Sequence, residues 1–205
     1  MIFEIRTYRL KVGSLAEVEK RFGEAYQHRK KYSELWGFFH TEIGPLNQIV
    51  HIWPYKDLDE RNRVRAEAGK DPNWPPKIQE FITQMQSEIV IPFNFAPPAK
   101  PGKLGPMFEL RSYTFRAGGL PDIMKRWEPK VPERSKVSPL ALAGYMELGE
   151  LNKYVHIWPY PSLDQRAATR AKVVELGIWP PPGGAEVLLT QENKILMPSQ
   201  WSPMQ

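Results

Sequence analysis

The chain has no cysteine, which excludes disulfide staples and thiol catalysis and fits a reducing compartment. Histidine is scarce, at four residues, and no His/Asp/Glu cluster has the spacing of a metal site. No apolar run approaches the ~20 residues that a helical membrane span needs. No glycine-rich phosphate loop follows a strand pattern, and there is no Ser-His-Asp signature. Met1-Ile2-Phe3-Glu4 enters a strand pattern at once, which predicts neither a signal nor a transit segment. The net charge of +5 is spread among interleaved acids and bases. Its densest basic run, Gln27-His28-Arg29-Lys30-Lys31, closes a predicted helix, where cations complement the dipole. That run is expected to be a solvated helix end, not a nucleic-acid surface. These absences lead us to expect no cofactor, no metal, and no nucleic-acid or membrane partner.

What the chain does have is a repeat. His51-Ile52-Trp53-Pro54-Tyr55 recurs as His156-Ile157-Trp158-Pro159-Tyr160, 105 residues later. The same offset aligns Phe3-Glu4-Ile5-Arg6 with Phe108-Glu109-Leu110-Arg111, and Trp74-Pro75-Pro76 with Trp179-Pro180-Pro181. From Phe3 to Pro76, 30 of 74 positions are identical between the copies. The chain is therefore a tandem duplication, divided as 1–95, a Pro/Gly linker at 96–107, and 108–205.

Within one copy, Phe3 to Tyr8 alternates as a strand. Ser14-Leu15-Ala16-Glu17 has the form of a capping box, with Ser14 as N-cap. Leu15, Val18, Phe22 and Tyr26 then recur at helical spacing. Trp36–Ile43 and Gln48–Trp53 read as strands around a Gly44-Pro45 turn, the second stopped by Pro54. A helix opens at Asp57, a short helix is predicted near Lys77–Gln84, and a last strand near Ile89–Phe95. In the second copy, Pro121, Pro129 and Pro132 predict a first helix that ends near Trp127. Ser162-Leu163-Asp164-Gln165 is again a capping box. The order β-α-β-β-α-β predicts an α+β fold of two tandem ferredoxin-like domains. Each bare sheet face needs cover, so the two sheets are expected to pair within the chain into one α/β barrel around an enclosed space.

The Phe-Glu-Ile-Arg-Thr-Tyr start followed by Gly13, and the His-Ile-Trp-Pro-Tyr strand followed by Leu58-Asp59-Glu60-Arg61, resemble the NIPSNAP family. The second copy carries the same pattern, through Gly118 and Leu163-Asp164-Gln165-Arg166. The resemblance covers nearly the whole chain outside the linker. It implies a dimeric α/β barrel of ferredoxin-like units, varied roles that include mitochondrial signalling in animals, and no general enzymatic reaction. With no transit segment expected, a bacterial, cytoplasmic protein follows.

Strand alternation selects the candidate site. If Phe3, Ile5, Val50 and Ile52 face the helices, then Glu4, Arg6, Tyr8, Asn47, His51 and Trp53 face the barrel interior. Glu109, Arg111, Tyr113, Asn152, His156 and Trp158 join them from the second copy. His51 and His156, with Glu4 and Glu109, are the candidate catalytic groups. A histidine beside a carboxylate can serve as a general base, and the competing reading is a structural histidine between sheets. Arg6 is read as the group that receives an anionic or carbonyl oxygen, with Glu4 holding it; a plain salt bridge is the alternative. Arg61, Arg65, Arg166 and Arg170 either line an anion-attracting mouth or form a solvated helix face. Trp74 and Trp179 either cap a ligand or pack a rigid loop. Two functions stay open: a small-molecule site in the barrel interior, enzymatic or not, and a non-catalytic interaction or scaffold module. A homodimer is compatible with either.

Overall fold

The computed structural model describes all 205 residues. The first repeat runs β1 (Ile2–Leu10), α1 (Leu15–Arg29), β2 (Gly37–Ile43), β3 (Gln48–Tyr55), α2 (Leu58–Ala68) and β4 (Ile82–Pro92). The second runs β5 (Met107–Phe115), α3 (Leu120–Trp127), α4 (Val131–Val137), β6 (Leu142–Leu148), β7 (Lys153–Tyr160), α5 (Leu163–Glu175) and β8 (Leu188–Pro198). Both are ferredoxin-like. All eight strands close into one antiparallel barrel in the order β1-β3-β2-β8-β5-β7-β6-β4. The repeats meet at two seams, β2 with β8 and β4 with β6.

The barrel interior is a packed core. Sixteen buried apolar side chains fill it, among them Phe3, Ile5, Val50 and Ile52 from one repeat and Phe108, Leu110, Val155 and Ile157 from the other. Phe39 meets Phe108 across the repeats, with ring centroids 5.2 Å apart. Two further cores lie outside the barrel, one between each repeat's sheet and its helices. The faces are thus opposite to the expectation. Ile52 looks inward, while His51 and Trp53 look out toward the helices. The reason is volume and charge. An eight-stranded barrel has an interior just wide enough for its own side chains. Val, Ile, Leu and Phe fit there without a polar penalty. Arginine and tryptophan fit instead in the wider sheet-to-helix layer, where their polar ends find partners.

Several local expectations are corrected. Ser14 makes no side-chain cap; its hydroxyl donates to Lys11 O at 2.7 Å, and Glu17 accepts from Arg21. The later helices are capped, Asp57 accepting from Glu60 N and Ser162 from Gln165 N. Lys77–Gln84 holds only a 3-10 turn, Gln79–Phe81, and strand β4 begins at Ile82 because β1 offers it a partner out to Leu10. Strand β3 continues through Pro54 to Tyr55. Helix α3 ends at Trp127, but a second helix restarts behind it with Pro132 in its first turn, where proline has no amide bond to lose.

Each repeat also sends its last residues across to the other. After β8, Trp201 packs on Phe22 and Tyr26 of α1, and Ser199 donates to Glu19 at 2.6 Å. After β4, Phe93 packs against Trp127 and Tyr154 of the second repeat.

Candidate functional site: a cavity between sheet and helices in each repeat

The outward faces of β1 and β3 place Arg6, Tyr8, His51 and Trp53 side by side, because Arg6 pairs in register with His51 and Tyr8 with Ile49. Helix α1 lays Phe22 and Arg29 over them, α2 brings Arg65, and the Trp74-Pro75-Pro76 loop closes one side. Between these groups is a cavity of about 340 Å³. The second repeat builds a counterpart of about 480 Å³ from Arg111, Tyr113, Trp127, Arg134, His156 and Trp158 with Trp179. No acidic side chain lines either one.

Glu4 lies beneath the first cavity with no exposed surface. Its carboxylate accepts from Arg6 Nη1, Arg61 Nη2 and Ser87 Oγ, each at 2.7 Å, and Arg65 stands 3.7 Å away. Burial alone would raise its pKa. The hydrogen bonds from Arg61 and Ser87 and the charges of Arg65 and Arg6 outweigh that and pull it down to about 2. Glu109 repeats the arrangement, with Arg111, Arg166 and Asn193 as donors, and is likewise lowered. Such carboxylates have no appetite for a proton. They anchor arginines.

The chain of donors continues upward. Arg6 Nε donates to the Tyr8 hydroxyl at 2.7 Å, so the Tyr8 proton is free to point elsewhere. Trp53 Nε1 donates to His51 Nδ1 at 2.7 Å. That bond requires Nδ1 to be unprotonated, which puts the single proton of the neutral ring on Nε2. The ring is 2% exposed, and burial, then the charge of Arg6, hold its pKa well below the ordinary value. His51 Nε2 is buried without a partner. His156 matches it in every respect: Trp158 occupies Nδ1 at 2.6 Å, burial depresses the pKa, and Nε2 has no partner. With Nδ1 occupied and Nε2 protonated, neither histidine presents a basic nitrogen. Each is a neutral hydrogen-bond donor.

Of the residues singled out from the sequence, the structure brings Arg6, Tyr8, His51 and Trp53 together, and Arg111, Tyr113, His156 and Trp158 with them in the second copy. Asn47 and Asn152 lie elsewhere. They occupy the β2–β3 and β6–β7 turns at φ of 53° and 54°, a region asparagine tolerates, and their carbonyls accept from Leu10 and Phe115. Arg61 and Arg166 are spent on the carboxylates, while Arg65 and Arg170 reach the cavity mouths.

Sequence reasoning missed Arg29 and Arg134. Only Arg29 of the basic run is buried, at 2% exposed, and Arg134 matches it. Arg29 lies over the rings of Trp53 and Trp74 and donates to Tyr55 and Ser33, with no carboxylate in salt-bridge contact. The signal was present: Arg29 falls seven residues after Phe22 on the apolar helix face, and the repeat offset returns arginine at 134.

This geometry is carried by residues of a repeated pattern, and residues 3–97 and 108–203 each match the NIPSNAP family model. The chain belongs to the NIPSNAP family. It is 28% identical to human Protein NipSnap homolog 3A over the whole of this chain and 86% of that relative. A Protein NipSnap homolog of Dictyostelium discoideum is 40% identical over 94 residues, which are 44% of this chain and 42% of that relative. Among solved structures, a NIPSNAP family protein with unknown function from Agrobacterium tumefaciens is 42% identical over 47% of this chain and 92% of its own, at a TM-score of 0.45. A protein of Fusobacterium nucleatum, 11% identical, covers 96% of this NIPSNAP chain and 91% of its own at a TM-score of 0.64, which shows a shared fold alone. No helix in the chain is long and apolar enough to cross a membrane.

Proposed function

We propose that this NIPSNAP protein binds small organic molecules that carry a carbonyl or carboxyl oxygen on an apolar body, one in each sheet-to-helix cavity. The observation behind this reading is the orphaned Nε2–H of His51 and of His156. A buried donor without a partner costs roughly 1–3 kcal/mol, and a ligand oxygen that accepts from it recovers that cost. The surroundings suit such a ligand. Aromatic walls of Phe22, Trp53 and Trp74 take its body, and an excess of arginine without lining carboxylates favours electron-rich oxygen. Binding rather than proton abstraction is the activity favoured, because the histidines are neutral donors and the glutamates are locked as anions. The reading needs no nucleic acid, membrane or second copy, and we take its setting to be the cytoplasm.

A thermal-shift panel of small carboxylates, ketones and amides tests the proposal. Wild-type protein should gain several degrees with part of the panel. The same compounds should give a markedly smaller shift with His51→Phe/His156→Phe, which keeps an aromatic ring at each position and removes the donor. Equal shifts in both proteins would overturn it.

A further inference from the structure

The positive charge of the chain is concentrated at its two cavities. Around the first stand four guanidinium groups, Arg6, Arg29, Arg61 and Arg65, and one carboxylate, Glu4. Around the second stand Arg111, Arg134, Arg166 and Arg170, and one carboxylate, Glu109. Each set leaves three positive charges unmatched. Two such surpluses exceed the net charge of the whole chain, +5, so the rest of the molecule is close to neutral. Charges gathered in a partly buried site interact with a counter-ion far more strongly than charges in water do.

The donors mark where such a counter-ion would sit. Arg6 Nη1 is taken by Glu4 and Nε by the Tyr8 hydroxyl, while Nη2 makes no hydrogen bond in the protein and is open to solvent. Nε and Nη2 share one edge of the guanidinium, and the two acceptor positions on that edge lie side by side. The Tyr8 oxygen fills the first. Its own proton has no acceptor in the protein, so an oxygen placed in the second position would accept from Arg6 Nη2 and from the Tyr8 hydroxyl together. Arg65 stands at the mouth, 41% exposed, 3.7 Å from Glu4 and without a hydrogen bond. The second repeat builds the same position. Arg111 Nε donates to Tyr113 at 2.6 Å and Nη1 to Glu109, Nη2 is open, and Arg170 stands at the mouth 3.9 Å from Glu109.

Resting on the binding reading above, we infer that both cavities select carboxylate anions over neutral carbonyl compounds. One carboxylate oxygen sits on Arg6 Nη2 and the Tyr8 hydroxyl, or on Arg111 Nη2 and the Tyr113 hydroxyl. The other is left to the charge of Arg65 or Arg170 at the mouth. The apolar body lies against the tryptophan walls, Trp53 with Trp74 or Trp158 with Trp179. Tyr8 and Tyr113 thus act through their protons, and the unmatched arginine charge sets the preference for an anion.

Calorimetric titration of the full chain with benzoate, and with acetophenone as its neutral isostere, tests this. Wild type should bind benzoate about 10-fold more tightly than acetophenone. Arg65→Gln/Arg170→Gln removes two partly exposed charges that make no hydrogen bond. It should weaken benzoate about 2- to 5-fold and leave acetophenone unchanged. Arg6→Lys/Arg111→Lys keeps the charge beside each glutamate but loses Nη2, and should weaken benzoate about 10-fold. Acetophenone bound as tightly as benzoate by wild type would overturn the inference and leave the broader binding reading standing. So would an unchanged benzoate affinity in Arg65→Gln/Arg170→Gln, which decides the matter even if the lysine variant fails to fold. Absence of binding by both benzoate and acetophenone would overturn both.

Discussion

At the scale of the residue, the histidines and the glutamates govern the response to acid in two stages. The folded His51 and His156 take up protons far less readily than the unfolded chain does, because burial and the nearby arginines disfavour the imidazolium. Their contribution to stability is complete above pH 6.5 and is lost as pH falls through and below it. Glu4 acts lower. Its folded pKa of about 2 lies below the ordinary 4.5, so its stabilisation is complete above 4.5 and drains away between 4.5 and 2. That difference is worth about 3 kcal/mol for Glu4, at 1.36 kcal/mol per pKa unit. Denaturant titrations across pH should show stability beginning to decline near pH 6.5 and falling more steeply below 4.5. In His51→Phe/His156→Phe the upper decline should vanish and the lower one remain. An upper decline of unchanged size in that variant would refute the assignment.

At the scale of the element, the β4–β6 seam between the repeats leaves no room for a side chain at Gly144. Gly144 on β6 lies so close to β4 that a Cβ there would stand 2.3 Å from the Ile91 carbonyl oxygen. That neighbour is backbone and cannot rotate away. Gly144→Ala should destabilise by roughly 1–3 kcal/mol, the usual cost of overpacking, read as a lowered midpoint in chemical denaturation. An unchanged midpoint would show that the seam yields. The position also explains how much of the fold was legible. Strand and helix order could be read because alternation and helical spacing repeat twice in one chain. The face of each strand could not. Both faces of β3 are buried, so alternation divides Ile52 from His51 and Trp53 without saying which side is the barrel. Volume decides that, and volume becomes visible only once eight strands close. The site residues were legible in kind and misplaced by one layer. Arg29 was hidden among the charges of a helix end, where composition outvoted its position on the face.

At the scale of the whole molecule, duplication has produced halves that complete one another. Each cavity wall rests on the opposite repeat: Trp201 backs Phe22, and Phe93 backs Trp127. The halves are no longer interchangeable. Phe39 fills the barrel from the first repeat, and the residue 105 positions later is Gly144, which the β4–β6 seam requires to be without a side chain. Two first repeats paired with each other would bring a phenylalanine to both seams. A fragment of residues 1–100 should therefore self-associate poorly and expose the apolar face carrying Phe3, Ile5, Val50 and Ile52. Co-expression with a fragment of residues 101–205 should restore a one-to-one complex, since all inter-repeat contacts are non-covalent and each strand regains both neighbours. Gel filtration with light scattering separates the outcomes. A stable homodimer of the first fragment that persists when the second is supplied would mean that the repeats remain equivalent, and that the asymmetry of Phe39 and Gly144 does not direct their pairing.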